Sequence, residues 1–177
     1  MHLVNLSVLS ALVVSLKTKE NIYSLLSEIP DPEIPVISIV ELGVIRDVKF
    51  SNNKTIEVTI TPTYSGCPAM KQMEDDVKKK LTDNGFENVK INTVYNPAWT
   101  TDWLSEDAKL KLQKYGIAPP EESTSDKSFL TGKTKNITCP RCKSTNTYLV
   151  SQFGSTACKA LYKCNDCLEA FDYFKCI

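Results

Sequence analysis

The cysteines set the chemistry open to this 177-residue chain, and six of the seven fall between residues 139 and 176. Cys139 and Cys142 in CPRC, with Cys164 and Cys167 in CNDC, make two C-x-x-C pairs separated by 21 residues. Each pair presents two sulfurs from one tight turn, and two such turns facing each other complete a tetrahedron of thiolates. The separation runs one residue past the usual window for such sites, and Lys143 and Leu168 stand where a turn-relaxing glycine is expected. Thiolates hold zinc or an iron–sulfur cluster equally well, so spacing alone does not choose between them. Cys158 in GSTACKAL and Cys176 in FDYFKC are either additional ligands or small buried hydrophobes. An odd count crowded at one end fits a secreted disulfide scaffold poorly.

The seventh cysteine stands apart. In TPTYSGCPAM, residues 61 to 70, Cys67 separates a run that alternates like a strand from one periodic like a helix. A helix N-terminus carries partial positive charge and shifts a thiol toward thiolate, the form that binds metal or attacks electrophiles. The plainer reading is a thiol that caps the helix or fills space beside the strand. Asp31 and Glu33 in DPE put two carboxylates on one rigid turn, suited to assist a thiol or a metal, or simply to face solvent. The only histidine is His2, so a Cys–His hydrolase, a di-iron core built on E-x-x-H pairs and a two-histidine iron triad all lack their ligands. No G-x-G-x-x-G or Walker loop is present. Trp99 and Trp103 in NPAWTTDW are packing residues or, so close together, a docking surface.

These residues need elements to position them. Ile22, Leu25, Leu26 and Ile29 follow helical spacing until Pro30 and Pro32 stop it. GVIRDVKF, SNNK and TIEVTITP read as a hairpin, with Val44, Val48 and Phe50 on one face of its first strand and Ile56, Val58 and Ile60 on one face of its second. Pro68 suits a first helical position, Met70, Met73, Val77 and Leu81 continue the helix, and Gly85 ends it. ENVKINTVYNP reads as a third strand, and Ser105 caps a helix that ends at Gly116. The pattern predicts an α+β fold, a small three-stranded sheet packed with helices, followed by a zinc-ribbon or rubredoxin-like β module in which YLVSQF and ALYKC are strands. The expected organisation is an N-terminal extension over 1–19, an α/β domain over 20–116, a linker over 117–136 and a cysteine-rich metal-binding ribbon over 137–177.

Lys plus Arg and Asp plus Glu both total 21, so no overall field draws in nucleic acid or an anionic membrane. LVNLSVLSALVVSL, residues 3 to 16, resembles the apolar region of a signal peptide, but no Lys or Arg precedes it and it is too short to span a bilayer. A cytoplasmic protein that binds neither nucleic acid nor membrane is the expectation.

DPEIPVISIVELGVIRDV, TPTYSGCPA, NPAWTTDWLSEDAKLKLQKYGIAPP and FGSTACKALYKCNDCLEAFDYFKC together resemble the PaaD (PaaJ) family, the D component of the phenylacetyl-CoA epoxidase system, from about Ile22 to Cys176. The first part resembles the wider MIP18-like (DUF59) domain, whose members act in iron–sulfur protein maturation and carry the DPE turn and a cysteine matching Cys67. Glu41 stands where the family commonly shows Asp. The resemblance implies an accessory protein of aerobic phenylacetate catabolism that assembles or delivers an iron–sulfur or iron centre to the oxygenase or reductase subunits and does not itself oxidise substrate. Cys67 would be the transient ligand with Asp31 and Glu33 beside it, and the four paired cysteines would hold zinc or a cluster. A non-catalytic docking component of the oxygenase and a thiol-dependent enzyme acting on CoA thioesters are the competing readings, and homo-oligomerisation is compatible with any of them.

Overall fold

A computed structural model of the protein describes residues 18–51, 55–120 and 135–175. The apolar stretch 3–16, the hairpin turn at 52–54, positions 121–134 of the expected linker and Cys176 lie outside the described residues.

Helix α1 (Lys19–Leu26) starts at Thr18, whose side-chain oxygen accepts the Asn21 N–H, and it buries Ile22 and Leu26. The proline-punctuated stretch that follows cannot continue a helix. It folds back on itself instead: the Asp31 N–H donates to the Ile37 carbonyl at 2.9 Å and the Ile39 N–H to the Ile29 carbonyl at 3.0 Å. Ile34, Ile37, Ile39, Leu42 and Val44 are thereby driven into the core. Gly43, at φ +77°, lets this loop touch the segment before the last helix of the domain, since a Cβ there would lie 2.6 Å from the Trp103 carbonyl oxygen.

The hairpin is present as β1 (Ile45–Ser51) antiparallel to β2 (Thr55–Ile60), and β2 also pairs in parallel with β3 (Asn88–Thr93). The sheet order is β1-β2-β3. Ile56, Val58 and Ile60 face inward as expected, as do Val44 and Val48. Phe50 does not: it is 43% exposed on the edge strand β1, although Ile56 opposite it on the central strand is 1% exposed. Parallel pairing of β2 with β3 needs a crossover, and α2 (Met70–Asp83) supplies it, burying Met73, Val77 and Leu81. That helix begins two residues later than the sequence suggests. Pro68 precedes it, and the Met70 N–H reaches back to the Cys67 carbonyl at 3.3 Å, so residues 67–70 form a turn leading into the helix. Helix α3 (Glu106–Tyr115) is capped by the Ser105 hydroxyl, which accepts the Ala108 N–H, and stops at Gly116.

A second sheet follows, with order β4-β7-β6-β5, built from β4 (Ile117–Ala118), β5 (Thr147–Ser151), β6 (Lys159–Cys164) and β7 (Ala170–Phe174). Ile117 and Ala118, read from the sequence as the start of a linker, are buried and pair in parallel with Asp172 and Tyr173. A two-residue strand has no alternation from which to read it. The ribbon is also seated on the first domain, because Cys158 and Phe174 belong to that domain's core. The Phe174 ring meets Trp99 edge to face, with centroids 5.9 Å apart. No helix among the described residues is long and apolar enough to cross a membrane.

Candidate functional site

Two constellations emerge, one in each sheet's neighbourhood. In the ribbon the Sγ atoms of Cys139, Cys142, Cys164 and Cys167 all lie within 4.8 Å of one another. Cys139 and Cys167 are 3.7 Å apart, Cys142 and Cys164 3.5 Å. A tetrahedral metal with metal–sulfur bonds of about 2.3 Å sets ligand edges of about 3.8 Å, so the four sulfurs are spaced for one ion. The same donor set suits zinc or iron.

The residue after each pair takes the left-handed conformation that a glycine would ease: Lys143 has φ 66° and Leu168 φ 63°. Each costs roughly 1–2 kcal/mol, which the rest of the knuckle must offset. The Lys143 N–H donates to the Cys139 carbonyl at 3.0 Å and the Cys164 N–H to the Glu169 carbonyl at 2.9 Å, closing both turns. Asp166 bridges the two knuckles, accepting from the Asn146 amide at 2.8 Å and from the Ser144 hydroxyl. The N–H groups of Cys167 and Asp166 pull the Cys164 thiol down to about 7, so it offers a thiolate near neutral pH. Cys167 goes the other way: the Glu169 N–H favours its thiolate, but desolvation and the neighbouring thiols push it up to about 12. Four thiols this close share their protons until a cation replaces them.

The second constellation gathers around Cys67, half-buried ahead of α2. Asp31 and Glu33 come to it on the DPE turn, but they do different work. The Asp31 Oδ1 accepts the N–H of Glu33 at 3.0 Å and of Ile34 at 2.7 Å, so this buried carboxylate holds the turn in shape. Burial lifts its pKa against those two donors. Glu33 faces the thiols. Its Oε2 accepts the S–H of Cys158, 125 residues away in the ribbon, at 3.3 Å. Cys158, 4% exposed, lies outside the group of four sulfurs that are close to one another. Its sulfur meets the Thr156 hydroxyl and the Glu33 carboxylate instead. The sequence leaves Cys158 between an additional ligand of the ribbon metal and a small buried hydrophobe, and does not point to Glu33.

The electrostatics of Cys67 differ from the helix-mouth expectation. An N–H does favour its thiolate, that of Ala69, and the Tyr64 hydroxyl helps. Desolvation outweighs them, and the charges of Glu33 and Asp31 add to it, so the thiol titrates above its ordinary value. Helix α2 itself begins only at Met70, three residues after Cys67. Tyr64 is itself pushed up to about 12, by desolvation first and then by Cys67, Glu33 and Cys158. Thiolate is the alkylating form, so iodoacetamide labelling of Cys67, followed peptide by peptide in a mass spectrometer, should reach half its maximal rate above the ordinary pH of 9.0. Glu33→Gln removes one of the charges and should move that midpoint to lower pH; a wild-type midpoint below 9.0 contradicts the assignment.

Trp99 is 3% exposed and donates its indole N–H to the Leu42 carbonyl at 3.0 Å, which makes it a packing residue. Trp103 is half-buried beneath the Arg46 guanidinium, 3.3 Å from the ring centroid.

Residues 19–92 match the iron–sulfur cluster assembly protein family, and residues 123–175 match the PaaD zinc beta ribbon domain. Over 156 residues the chain is 48% identical to the Escherichia coli protein provisionally named as the D component of 1,2-phenylacetyl-CoA epoxidase, spanning 88% of this chain and 92% of that one. It is 39% identical over 95 residues to the Fe-S protein maturation auxiliary factor YitW of Bacillus subtilis, covering 53% of this chain and 92% of that protein. Among solved structures, a DUF59 domain from Bacillus anthracis superposes with a TM-score of 0.50 at 35% identity, over 53% of this chain and 90% of that one.

Proposed function

Since the chain belongs to the PaaD family, that of the D component of 1,2-phenylacetyl-CoA epoxidase, we propose that it is an accessory iron–sulfur assembly factor of that system. Cys67 is the transient ligand of the iron or iron–sulfur cargo passed to an oxygenase or reductase subunit. The observation that carries this reading is a half-buried thiol whose neighbours are carboxylates, on the part of the chain that matches iron–sulfur assembly proteins. Iron binding exchanges the S–H proton for an S–Fe bond. A thiol that titrates high takes its proton back readily, which suits a carrier that must let go. Glu33 supplies an oxygen donor or a proton acceptor at the same place, and Asp31 keeps the turn that presents it. The ribbon cysteines hold a resident metal that maintains the module, which is chemistry distinct from the cargo site.

Cys67→Ser tests this directly. In a host lacking the gene, the variant should fold and keep its ribbon metal yet fail to support growth on phenylacetate, and the anaerobically purified variant should carry less iron and acid-labile sulfide than wild type. Full complementation sinks the proposal. The reading as a docking component is favoured by one feature, the exposed Tyr148 and Val150 on the edge strand β5. It predicts stoichiometric co-purification with the oxygenase and indifference to Cys67.

A further inference from the structure

Strand β1 carries one residue out of its ladder. Its register with β2 shifts between Ile45 and Asp47, a bulge that leaves Arg46 without an opposite number and re-aims its side chain. The Arg46 guanidinium lies 3.3 Å from the centre of the Trp103 ring, a stacking distance. Trp103 is a fixed shelf. It packs against the first domain's core, its backbone N–H donates to the Thr100 carbonyl at 3.0 Å, and a Cβ at Gly43 would lie only 2.8 Å from the Trp103 Cβ. A guanidinium stacked on a ring keeps its five N–H donors at the rim of its own plane, aligned for a planar acceptor. Arg46 is exposed, and among the described residues it makes no hydrogen bond and no ion pair. The acids of the adjoining ladder are already claimed: Asp47 by Lys19 at 2.6 Å and Lys49 at 3.5 Å, and Glu57 by Lys90 at 3.9 Å. Arg46 is therefore a held, unanswered positive charge on a chain whose charges otherwise balance at 21 and 21.

We propose that the Arg46–Trp103 shelf is a docking site for an acidic segment of a partner protein, one Asp or Glu carboxylate of which accepts two parallel N–H···O bonds from Arg46. The charge left unanswered on this chain is the one such a segment supplies. Stacking has already ordered the long arginine side chain, so less conformational entropy is lost when the carboxylate arrives. An arginine beside a half-buried tryptophan is also the composition that protein interfaces enrich. A carboxylate fits better than a phosphate group. One guanidinium fork meets one carboxylate two bonds to two, whereas phosphate sites gather several N–H groups, and the Asp47 charge next along the chain opposes a doubly charged anion. The shelf uses none of the cysteines, so the proposal stands whether Cys67 carries cargo or not.

The test uses the full chain, zinc-loaded and labelled with heavy nitrogen, whose two tryptophans give two indole N–H signals by NMR. Trp103→Phe identifies which signal is which. The probe is the peptide acetyl-Glu-Val-Glu-Val-Glu-amide, compared with its Gln-for-Glu counterpart and with inorganic phosphate. The acidic peptide should move the Trp103 signal saturably and leave that of Trp99, which is buried and bonded to the Leu42 carbonyl. Added salt should weaken the binding. Arg46→Gln, checked for folding by zinc content and circular dichroism, should weaken it about tenfold or more. Arg46→Lys, which keeps the charge and loses the planar fork, should fall between the two. Equal binding of the Gln peptide makes this an apolar surface, and a response to phosphate alone makes it a small-anion site; either result overturns the proposal. A Trp103 signal that stays still, or that moves as before in Arg46→Gln, overturns it too.

Discussion

Removing the metal from the four-cysteine cluster should unfold residues 137–175 and leave the β1–β3 sheet standing. The ribbon's own core consists of Ala118, Ile137, Cys139, Ala160, Tyr162, Cys164 and Phe171, two of which are ligand positions. A module of about 40 residues buries too little apolar surface to fold on that core, and a structural metal contributes on the order of 10 kcal/mol to such a unit. Two non-glycine residues in left-handed knuckles add strain that only the closed cluster holds in place. Under chelator, verified by metal analysis, proteolysis should move into residues 137–175, and Cys158 should become alkylated at the rate of an unfolded thiol. Acid should do the same, because the bound state needs thiolates and each proton returned to a sulfur competes with the ion. The first domain, whose core draws on α1, β1, β2 and α2, should keep its secondary structure through the same treatment. A ribbon that stays protected after demonstrable metal loss refutes this account.

The arrangement of the two modules is only partly legible in the sequence. The C-x-x-C pairs, the Met73, Val77, Leu81 stripe and the Ile56, Val58, Ile60 alternation can be read because each is a local pattern with a fixed period or spacing. Phe50 obeys the same alternation and is nevertheless exposed, because periodicity states which face a residue occupies and not whether its strand lies at the edge of the sheet. The electrostatics of Cys67 escape the sequence for a related reason. Proximity to a helix start is visible in the chain, whereas the desolvation and the two carboxylates that reverse its effect come from a turn more than 30 residues earlier. Cys158 is the least legible. Its partner Glu33 is 125 residues distant, and nothing in GSTACKAL points to that contact. The coupling of ribbon to domain passes through β4, two residues long, and through single aromatic contacts, none of which leaves a period in the sequence.

Trp99→Ala should cost about 3–5 kcal/mol, a large part of the roughly 5–15 kcal/mol that holds a typical domain together. The indole is 3% exposed in the first domain's core, and its edge-to-face partner, Phe174, sits in the last strand of the ribbon. Truncation removes the wall against which the ribbon seats and one hydrogen-bond donor to Leu42, so two losses coincide at one residue. Trp99→Phe separates them: it keeps much of the ring packing and gives up the N–H, and should cost only about 1–2 kcal/mol. Urea denaturation of both variants, zinc-loaded, measures these costs. The same samples report on the join between the modules. With the metal in place the ribbon stays folded, so any rise in Cys158 alkylation in Trp99→Ala reflects undocking and loss of the Glu33 contact. A stability loss with Cys158 still protected would mean that β4 and the Cys158–Glu33 contact hold the ribbon in position without the aromatic pair. A rise in labelling that the Phe variant does not share would make the ring at position 99 the contact that keeps the ribbon seated on the first domain.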